Sequence, residues 1–509
     1  MSKEEKYDRQ LRLWQSSGQS NLENSNILII SPNLSSLELI KNLILPGLGS
    51  FTILDSKDNL IQDIDLSNNF YINEEDLGKP KAKIFAQNLN EFNHDVKHDI
   101  ILINENFQEF WNNEDSINSI KWESYNYIVS NWQYPELIKL SESKDISLII
   151  LNSISYFGFL RIFQKQIKVI ETHNEKLLDL RLLDPFPELL KYSNDIDLHN
   201  LELETHSQIP YLIIQLKALQ EYQLQNNGLT PKSYKEKQEY KKIIQNWKKS
   251  YDELNFDEAL TNSNKIFNYE KIPQGIIELF NKIDENFKTN DKFWLLVKSL
   301  KKFTINNDGY LPITGEIPDM DSTTNNYMIL KKIYRDKFDQ DLKKFQEILF
   351  ELNVENLLFK KDELTTFIKN AKYLYFSQLS YSFINNVSSF IENFGPELNS
   401  FNSIILSFII IENYYLQFNQ LPTLSNFDTL LKITLLFLQN KIKITDDYKA
   451  VLYEFIRGNS LELSNISSII GGIGSQELLK LITKQYKPLD DFLVWDGLKS
   501  VSERFKIKS

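Results

Sequence analysis

Short apolar runs alternate with segments of helical periodicity over the first 165 residues or so of the chain. Leu37, Ile40 and Ile44 share one helical face between the first two runs, and the Pro46-Gly47 pair predicts the end of that helix. Apolar runs this short are typical of strands buried on both faces of a sheet. Because strands that alternate with helices pair in parallel, the pattern predicts an α/β fold with a mostly parallel sheet. The predicted strands are Asn26–Ser31, Phe51–Leu54, Ile100–Ile103, Tyr127–Val129 and Ser147–Leu151.

The pattern changes between about residue 170 and residue 460. Leu, Ile, Lys and Asn recur there at helical spacing, as in 338–352 and 403–418, without a repeat of fixed period. Another helix, at 467–484, and a closing strand, Phe492–Trp495, then return to the first style. We therefore expect one α/β domain, formed by residues 1–168 and 461–509 and interrupted by a large, mostly helical insertion at 169–460.

Composition and charge exclude several classes of protein. Of the 509 residues, 42% are hydrophobic, which is enough to bury large cores and excludes a disordered chain. The net charge of −12 opposes contacts with phosphate backbones, so we expect no nucleic-acid partner. The longest apolar stretch, around Ile404–Ile411, is too short to span a bilayer, and no secretory signal is visible. We expect no membrane partner and an intracellular location, in the cytoplasm and nucleus.

The sequence contains no cysteine, which removes disulfides, thiolate zinc sites and any thioester formed on this chain. His94 and His98 have the spacing of a metal-binding pair on a helix, but no further ligand motif accompanies them, so a surface position is expected. We expect no metal site and no catalytic residue in this chain.

The first strand–helix–strand unit has the outline of a nucleotide site without its phosphate-binding loop. Glycines at G-x-G-x-x-G spacing let a backbone approach phosphates, and here those positions are Ser31, Asn33 and Ser36. Pro32 between them lacks an N–H group. Asp55 follows the second strand, where an acidic residue binds ribose in working sites. These residues fit a degenerate nucleotide site and an ordinary strand–helix unit equally well.

Several segments, in this order along nearly the whole chain, resemble the ubiquitin-like-activating enzymes. The shared segments are 6–14 (Lys-Tyr-Asp-Arg-Gln-Leu-Arg-Leu-Trp) with Gly18-Gln19, 38–43, 47–55, 67–70, 471–477 and 483–486. Inner segments resemble the regulatory subunits of the neddylation-activating enzyme, the amyloid-precursor-binding-protein type. These segments are 181–188 (Arg-Leu-Leu-Asp-Pro-Phe-Pro-Glu), 231–237 (Pro-Lys-Ser-Tyr-Lys-Glu-Lys) and 317–320 (Ile-Pro-Asp-Met).

The resemblance implies a Rossmann-like degenerate adenylation domain in the regulatory half of a heterodimer. The heterodimer would use ATP and Mg²⁺, bound mainly by a cysteine-bearing catalytic subunit and not by this chain alone, to activate a Rub/Nedd modifier. Active relatives carry Asn-Arg-Gln where this chain reads Asn68-Asn69-Phe70, whereas Asp55 and the family's catalytic lysine, at Lys81, are retained. The family's Tyr-Asp-Arg-Gln arginine, which reaches into the partner's nucleotide site, matches Arg9, and Arg12 is a second candidate one helical turn away.

Three other functions remain open at this point. An adaptor with the same fold would take no part in the chemistry, and truncating Arg9 would then leave adenylation unchanged. The regulatory subunit of the sumoylation-activating enzyme lacks an insertion of nearly three hundred residues. A NAD-binding oxidoreductase requires the glycines that Ser31, Asn33 and Ser36 replace.

Overall fold

The computed structural model describes residues 3–174, 178–267, 270–284, 287–353, 357–378, 381, 384, 386–458 and 461–507. The chain forms two compact units, one made of Met1–Val169 and Phe376–Ser509 and the other of Ile170–Tyr375. The predicted insertion begins at residue 169, and the second unit begins at Ile170. The insertion was expected to extend to residue 460, which lies outside the described residues, whereas the second unit ends at Tyr375.

An eight-stranded sheet forms the centre of the first unit, in the order β10-β9-β6-β5-β4-β1-β2-β3. Strands β5, β4, β1, β2 and β3 run parallel to one another. Strands β6, β9 and β10 pair antiparallel at one side of the sheet. The predicted α/β class with a mostly parallel sheet is confirmed. The strands are β1 Asn26–Ile30, β2 Ser50–Ser56, β3 Lys97–Ile103, β4 Tyr127–Ser130, β5 Ser147–Ile154, β6 Phe157–Phe163, β9 Phe492–Asp496 and β10 Val501–Phe505, with a separate short pair, β7 Ile167–Val169 and β8 Tyr375–Ser377.

Helices account for most of the remaining described structure. In the first unit they are α1 Lys3–Lys6, α2 Asp8–Glu23, α3 Leu34–Ile44, α4 Asp63–Leu66, α5 Lys81–Asn90, α6 Phe107–Asn112, α7 Glu114–Ser119, α8 Pro135–Lys144, α18 Val387–Phe394, α19 Ser400–Phe418, α20 Phe427–Leu438, α21 Asp446–Arg457 and α22 Ser464–Thr483. The second unit contains α9 Pro187–Asn194, α10 Leu203–His206, α11 Tyr211–Gln225, α12 Tyr234–Trp247, α13 Leu254–Phe267, α14 Gln274–Asn281, α15 Lys292–Ile305, α16 Thr324–Leu352 and α17 Lys361–Lys369.

Helices α19 and α21 belong to the first unit because their apolar sides cover one face of its sheet. The ring of Phe159 on β6 lies 5.2 Å from that of Phe408 on α19, and Phe157 stacks on Phe455 of α21 at 4.9 Å. The apolar stretch around Ile404–Ile411 is buried in this core. Within the described residues, no helix is both long enough and apolar enough to cross a membrane.

Helices α3 and α22 pack side by side on the other face of the sheet, and Gly471 is the point of closest approach. A Cβ on Gly471 would lie 2.5 Å from the Cβ of Glu38 and 2.7 Å from the carbonyl oxygen of Ser35. Three hydroxyl groups near the beginning of both helices form a buried chain, with Ser153 Oγ 2.9 Å from Ser35 Oγ and 2.8 Å from Ser467 Oγ. The small residues near the start of α22 therefore allow two helices to touch.

Gly471→Ala is expected to lower the free energy of unfolding by about 1–3 kcal/mol, because the new methyl group overpacks the contact with α3. Gly472→Ala is the matched control in the same helix. A Cβ at Gly472 meets nothing within 4 Å, so the change should be neutral or stabilise by about 0.5–1 kcal/mol through helix propensity. Urea denaturation of the two full-length variants measures both effects. Equal losses would show that α3 and α22 do not approach closely at Gly471.

Candidate functional site

The carboxyl ends of the parallel strands define the candidate site. The order β3-β2-β1-β4-β5 reverses direction at β1, and ligands of such sheets bind in the crevice outside this switch point. The loop from Ser31 to Asn33 leaves β1 at that crevice and leads directly into α3. This is the position at which nucleotide-binding relatives of the fold hold their phosphates.

Two of the three residues at the glycine positions, Asn33 and Ser36, cap α3 instead of leaving its N-terminus open. Asn33 Oδ1 accepts a hydrogen bond from the Ser36 N–H at 2.8 Å, and Ser36 Oγ accepts one from the Asn33 N–H at 2.9 Å. Ser31 takes a left-handed backbone conformation, with φ at 51°. Since this capping box uses backbone N–H groups that a phosphate would need, the loop is committed to holding the helix.

A carboxylate from the C-terminal part of the chain completes this arrangement. Glu462, two residues before α22, accepts a hydrogen bond from the Leu34 N–H at 2.5 Å through Oε2. The first N–H groups of a helix attract negative charge, so Glu462 occupies the place of a bound anion. The same carboxylate would repel a phosphate group that approached α3.

A cavity of about 300 Å³ remains beside this contact. Its polar lining includes Gln62, Asp65, Asn68, Asn69 and Lys81, together with Glu462. The turn that carries Asn68 and Asn69 offers amide groups but no cation, and the neighbouring Phe70 is 86% exposed. The cavity thus keeps the location of a nucleotide site without its phosphate-binding groups.

Burial raises the pKa of Glu462 to about 7, and the hydrogen bond from Leu34 and the charge of Lys81 act in the opposite direction. Lys81 itself forms an ion pair with Asp65, with 2.8 Å between Nζ and Oδ1 and each side chain 20% exposed. The retained lysine is therefore engaged by a neighbouring carboxylate at the cavity wall.

Asp55 lies at the end of β2 and is 1% exposed. Its Oδ1 accepts a hydrogen bond from the Ser56 N–H at 2.9 Å, and Asn59 Nδ2 donates to its Oδ2 at 3.0 Å. Burial raises the pKa of Asp55 to about 7. Its contacts close the loop after β2, which is the structural alternative that the sequence left open.

The two candidate arginines lie on the first part of α2, away from these cavity-lining residues. Arg12 pairs with Asp8 across one helical turn, at 2.9 Å between Nη2 and Oδ2, and both side chains are largely exposed. Arg9 is exposed and makes no hydrogen bond or ion pair with any residue that the structure describes. Its guanidinium is therefore available to a ligand or to a second protein.

The two histidines with the spacing of a metal-binding pair lie in β3 and in the turn before it. His98 lies in β3 with its ring stacked on Phe51 at 5.9 Å, and His94 lies in the exposed turn before that strand. Among the residues described, no group of three or more His, Asp or Glu side chains could hold a metal ion. Sequence reasoning missed Glu462 and Asp65, since neither forms a motif with the residue that it contacts.

Known proteins similar to this chain match it over its whole length. Residues 7–131 match the model of the ThiF family. A NEDD8-activating enzyme E1 regulatory subunit from Xenopus laevis is 30% identical, with 99% of each chain covered. The Gallus gallus protein of that name is also 30% identical, covering 99% of this chain and 98% of its own. NEDD8-activating enzyme E1 regulatory subunit AXR1 from Arabidopsis thaliana is 29% identical, covering 99% and 96%.

Glu462→Gln is expected to be more stable than the wild-type chain, and the difference should be larger at pH 8 than at pH 5. Since the pKa of Glu462 is higher in the folded state than its usual 4.5, the wild-type chain loses stability as the pH rises from about 4.5 through about 7. A neutral glutamine can still accept the Leu34 hydrogen bond and has no such loss. The difference in unfolding free energy between the variant and wild type should grow by on the order of 2 kcal/mol from pH 5 to pH 8, a figure reduced for the partial exposure of Glu462. Urea titrations across this pH range measure it.

Glu454→Gln on α21 provides the control with the opposite sign. The hydrogen bond from Arg457 lowers the pKa of Glu454, so its contribution is present at neutral pH and is lost only as the pH falls below about 4.5. The control variant should therefore be less stable than wild type at pH 8. A Glu462→Gln difference that stays constant with pH would contradict a desolvated carboxylate at α3.

Proposed function

Because the chain belongs to the family of NEDD8-activating enzyme E1 regulatory subunits, we propose that it is the regulatory half of a heterodimer that activates a NEDD8-type modifier, in the cytoplasm and nucleus. The family membership agrees with the resemblance found in the sequence motifs. In this function a cysteine-bearing partner subunit binds the modifier's C-terminus, ATP and Mg²⁺, and it receives the modifier as a thioester. The chain contributes the fold and a basic side chain, and no thioester, since it has no cysteine.

The observation that carries this assignment is the carboxylate at the N-terminus of α3. Glu462 and the Asn33–Ser36 capping box take up the N–H groups that a triphosphate would need. Lys81 is paired with Asp65, and the cavity has no other cation among its lining residues. The residues present therefore do not fit ATP with Mg²⁺, and we derive no step through a nucleotide bound to this chain.

The role proposed for Arg9 follows from the chemistry of adenylation. A carboxylate oxygen of the modifier attacks the α-phosphorus of ATP, and pyrophosphate leaves with additional negative charge. A guanidinium supplies forked, permanently charged donors to such oxygens. Arg9 is exposed and unpaired among the described residues, so it can reach a phosphate held by a partner subunit. In this respect the chain acts as a donor in trans.

The assignment is tested by purifying the chain alone and together with a cysteine-bearing activating subunit. We expect the complex to charge a NEDD8-type modifier in an ATP-dependent, thiol-sensitive manner. Equilibrium titration of the isolated chain with a labelled ATP analogue should give no binding at micromolar concentrations, because Glu462 occupies the phosphate position. Micromolar binding of ATP by the isolated chain, or a complex that charges no modifier, would contradict this assignment and favour the adaptor function.

Arg9→Ala is expected to slow ATP–pyrophosphate exchange by the heterodimer by about 10²-fold, the typical loss when one preorganised donor is removed from a developing charge. Arg335→Ala, an exposed arginine on α16, is the matched control and should leave the rate unchanged. Heterodimer assembly, measured by gel filtration, should be the same for both variants. An unchanged exchange rate with Arg9→Ala would remove the chain from the chemistry and favour an adaptor.

A further inference from the structure

The short helical arm that carries Arg9 is fixed at both of its ends by buried residues. Helix α2 breaks at Trp14 and Gln15, where the backbone leaves helical values, so residues 8–13 form a separate arm. A six-residue helix is not stable alone in water, because too few hydrogen bonds offset the cost of nucleation. Whether this arm keeps its helical structure therefore depends on the contacts at its two ends, at Tyr7 and Trp14.

Tyr7 forms the first anchor, directly before the arm. Its carbonyl oxygen accepts the first helical hydrogen bond, from the Leu11 N–H at 2.9 Å, and its side chain is only 3% exposed. Asn93 Nδ2 donates to the Tyr7 hydroxyl at 3.1 Å and also to the carbonyl oxygen of Ile44 at 3.0 Å. The beginning of the arm is thereby bound to the turn after α5, which also binds the last residue of α3.

Trp14 forms the second anchor, and two buried glutamines hold it. Gln485 Nε2 donates to the Trp14 carbonyl oxygen at 3.1 Å, at the residue where the backbone of α2 leaves helical geometry. The Trp14 indole N–H donates to Gln19 Oε1 at 3.1 Å, and Gln19 Nε2 donates to the Pro46 carbonyl oxygen at 2.9 Å. Gln485 and Gln19 are 2% and 5% exposed, so both bonds are sheltered from water.

The backbone at the break is itself held in an uncommon conformation. Gln15 has φ 59° and ψ 179°, a region in which side chains with a Cβ are disfavoured and which surrounding structure must enforce. Gly18 allows Trp14 to lie against the second part of α2, since a Cβ there would be 2.9 Å from the Trp14 Cβ. The break is therefore set by long-range contacts and not by local helix propensity.

We propose that Gln485 and Tyr7 are positioning residues for Arg9, which hold the arm of residues 8–13 so that the guanidinium meets the partner's phosphates in one geometry. This inference rests on the proposed function. A displacement of about 1 Å costs a large part of an electrostatic contribution, so a rigid arm is worth more to the rate than to binding. Arg9 is the catalytic group, and Gln485 and Tyr7 act through it.

The test is a double-mutant cycle on the heterodimer, with ATP–pyrophosphate exchange as the measurement. Gln485→Leu removes the donor to Trp14 and keeps a side chain of similar length. We expect it to lower kcat about 10-fold with little change in the KM for ATP, and to cause no further loss in an Arg9→Ala background. Gln215→Leu is the matched control, because buried Gln215 also donates to a backbone carbonyl oxygen, that of Ala259 at 2.8 Å. Its effect on kcat should be absent.

A second measurement follows the arm directly in the full chain without its partner. Amide hydrogen exchange of residues 8–13 should rise about 10-fold in Gln485→Leu and in Gly18→Ala, which displaces Trp14 from the opposite side, and should not change in Gln215→Leu. If Gln485→Leu prevents folding, Gly18→Ala serves in the cycle in its place. Losses from Gln485→Leu and Arg9→Ala that multiply, or exchange that does not change, would overturn the positioning role alone. An Arg9→Ala enzyme with full activity would overturn the proposed function, and this inference with it.

Discussion

The side-by-side packing of α3 and α22 is the contact on which the candidate site depends. Residue numbers rise together along the contact, from Ser35 with Ser467 to Leu39 with Gly474, so the two helices run in the same direction. Both therefore begin at the carboxyl edge of the sheet, where two positive helix ends are brought together. Glu462 stands two residues before α22 and places its carboxylate at α3, where it offsets that charge. The contact between Glu462 and Leu34 joins residues that are 428 positions apart in the sequence, and it places a carboxylate where an anion would bind.

The sequence predicts the strands and helices better than the contacts of the candidate site, and this difference has a physical basis. Strand and helix positions follow from local periodicity, so the runs at Asn26 and Phe51 and the helix end at Pro46-Gly47 match β1, β2 and α3 closely. Strand β6 was missed because Gly158 and Arg161 interrupt its apolar run, and β10 was missed because it is largely exposed and polar. The partners of Leu34 and Lys81 are set by tertiary packing, which periodicity does not report.

The residues of the N-terminal motif differ in what they contact. In the stretch from Tyr7 to Gln19, Tyr7 and Gln19 are buried, and Trp14 is half-buried and donates to Gln19, whereas Arg9 is exposed and free of such contacts among the described residues. Buried Gln485 donates to the Trp14 carbonyl oxygen, a bond that an apolar residue at that position could not make.

The N-terminus of α3, where a phosphate group would bind in a nucleotide site, is occupied by side chains of this chain. An N-terminal helix end with free N–H groups is costly to bury and attracts any available anion, so loss of the glycine loop alone would leave a weak phosphate site. Here the Asn33–Ser36 capping box satisfies one part of that demand and Glu462 another, while Asp65 neutralises Lys81. Side chains of the chain thus take over the interactions that a nucleotide would make. The backbone N–H groups at the beginning of α3 are therefore satisfied by side chains of the chain itself.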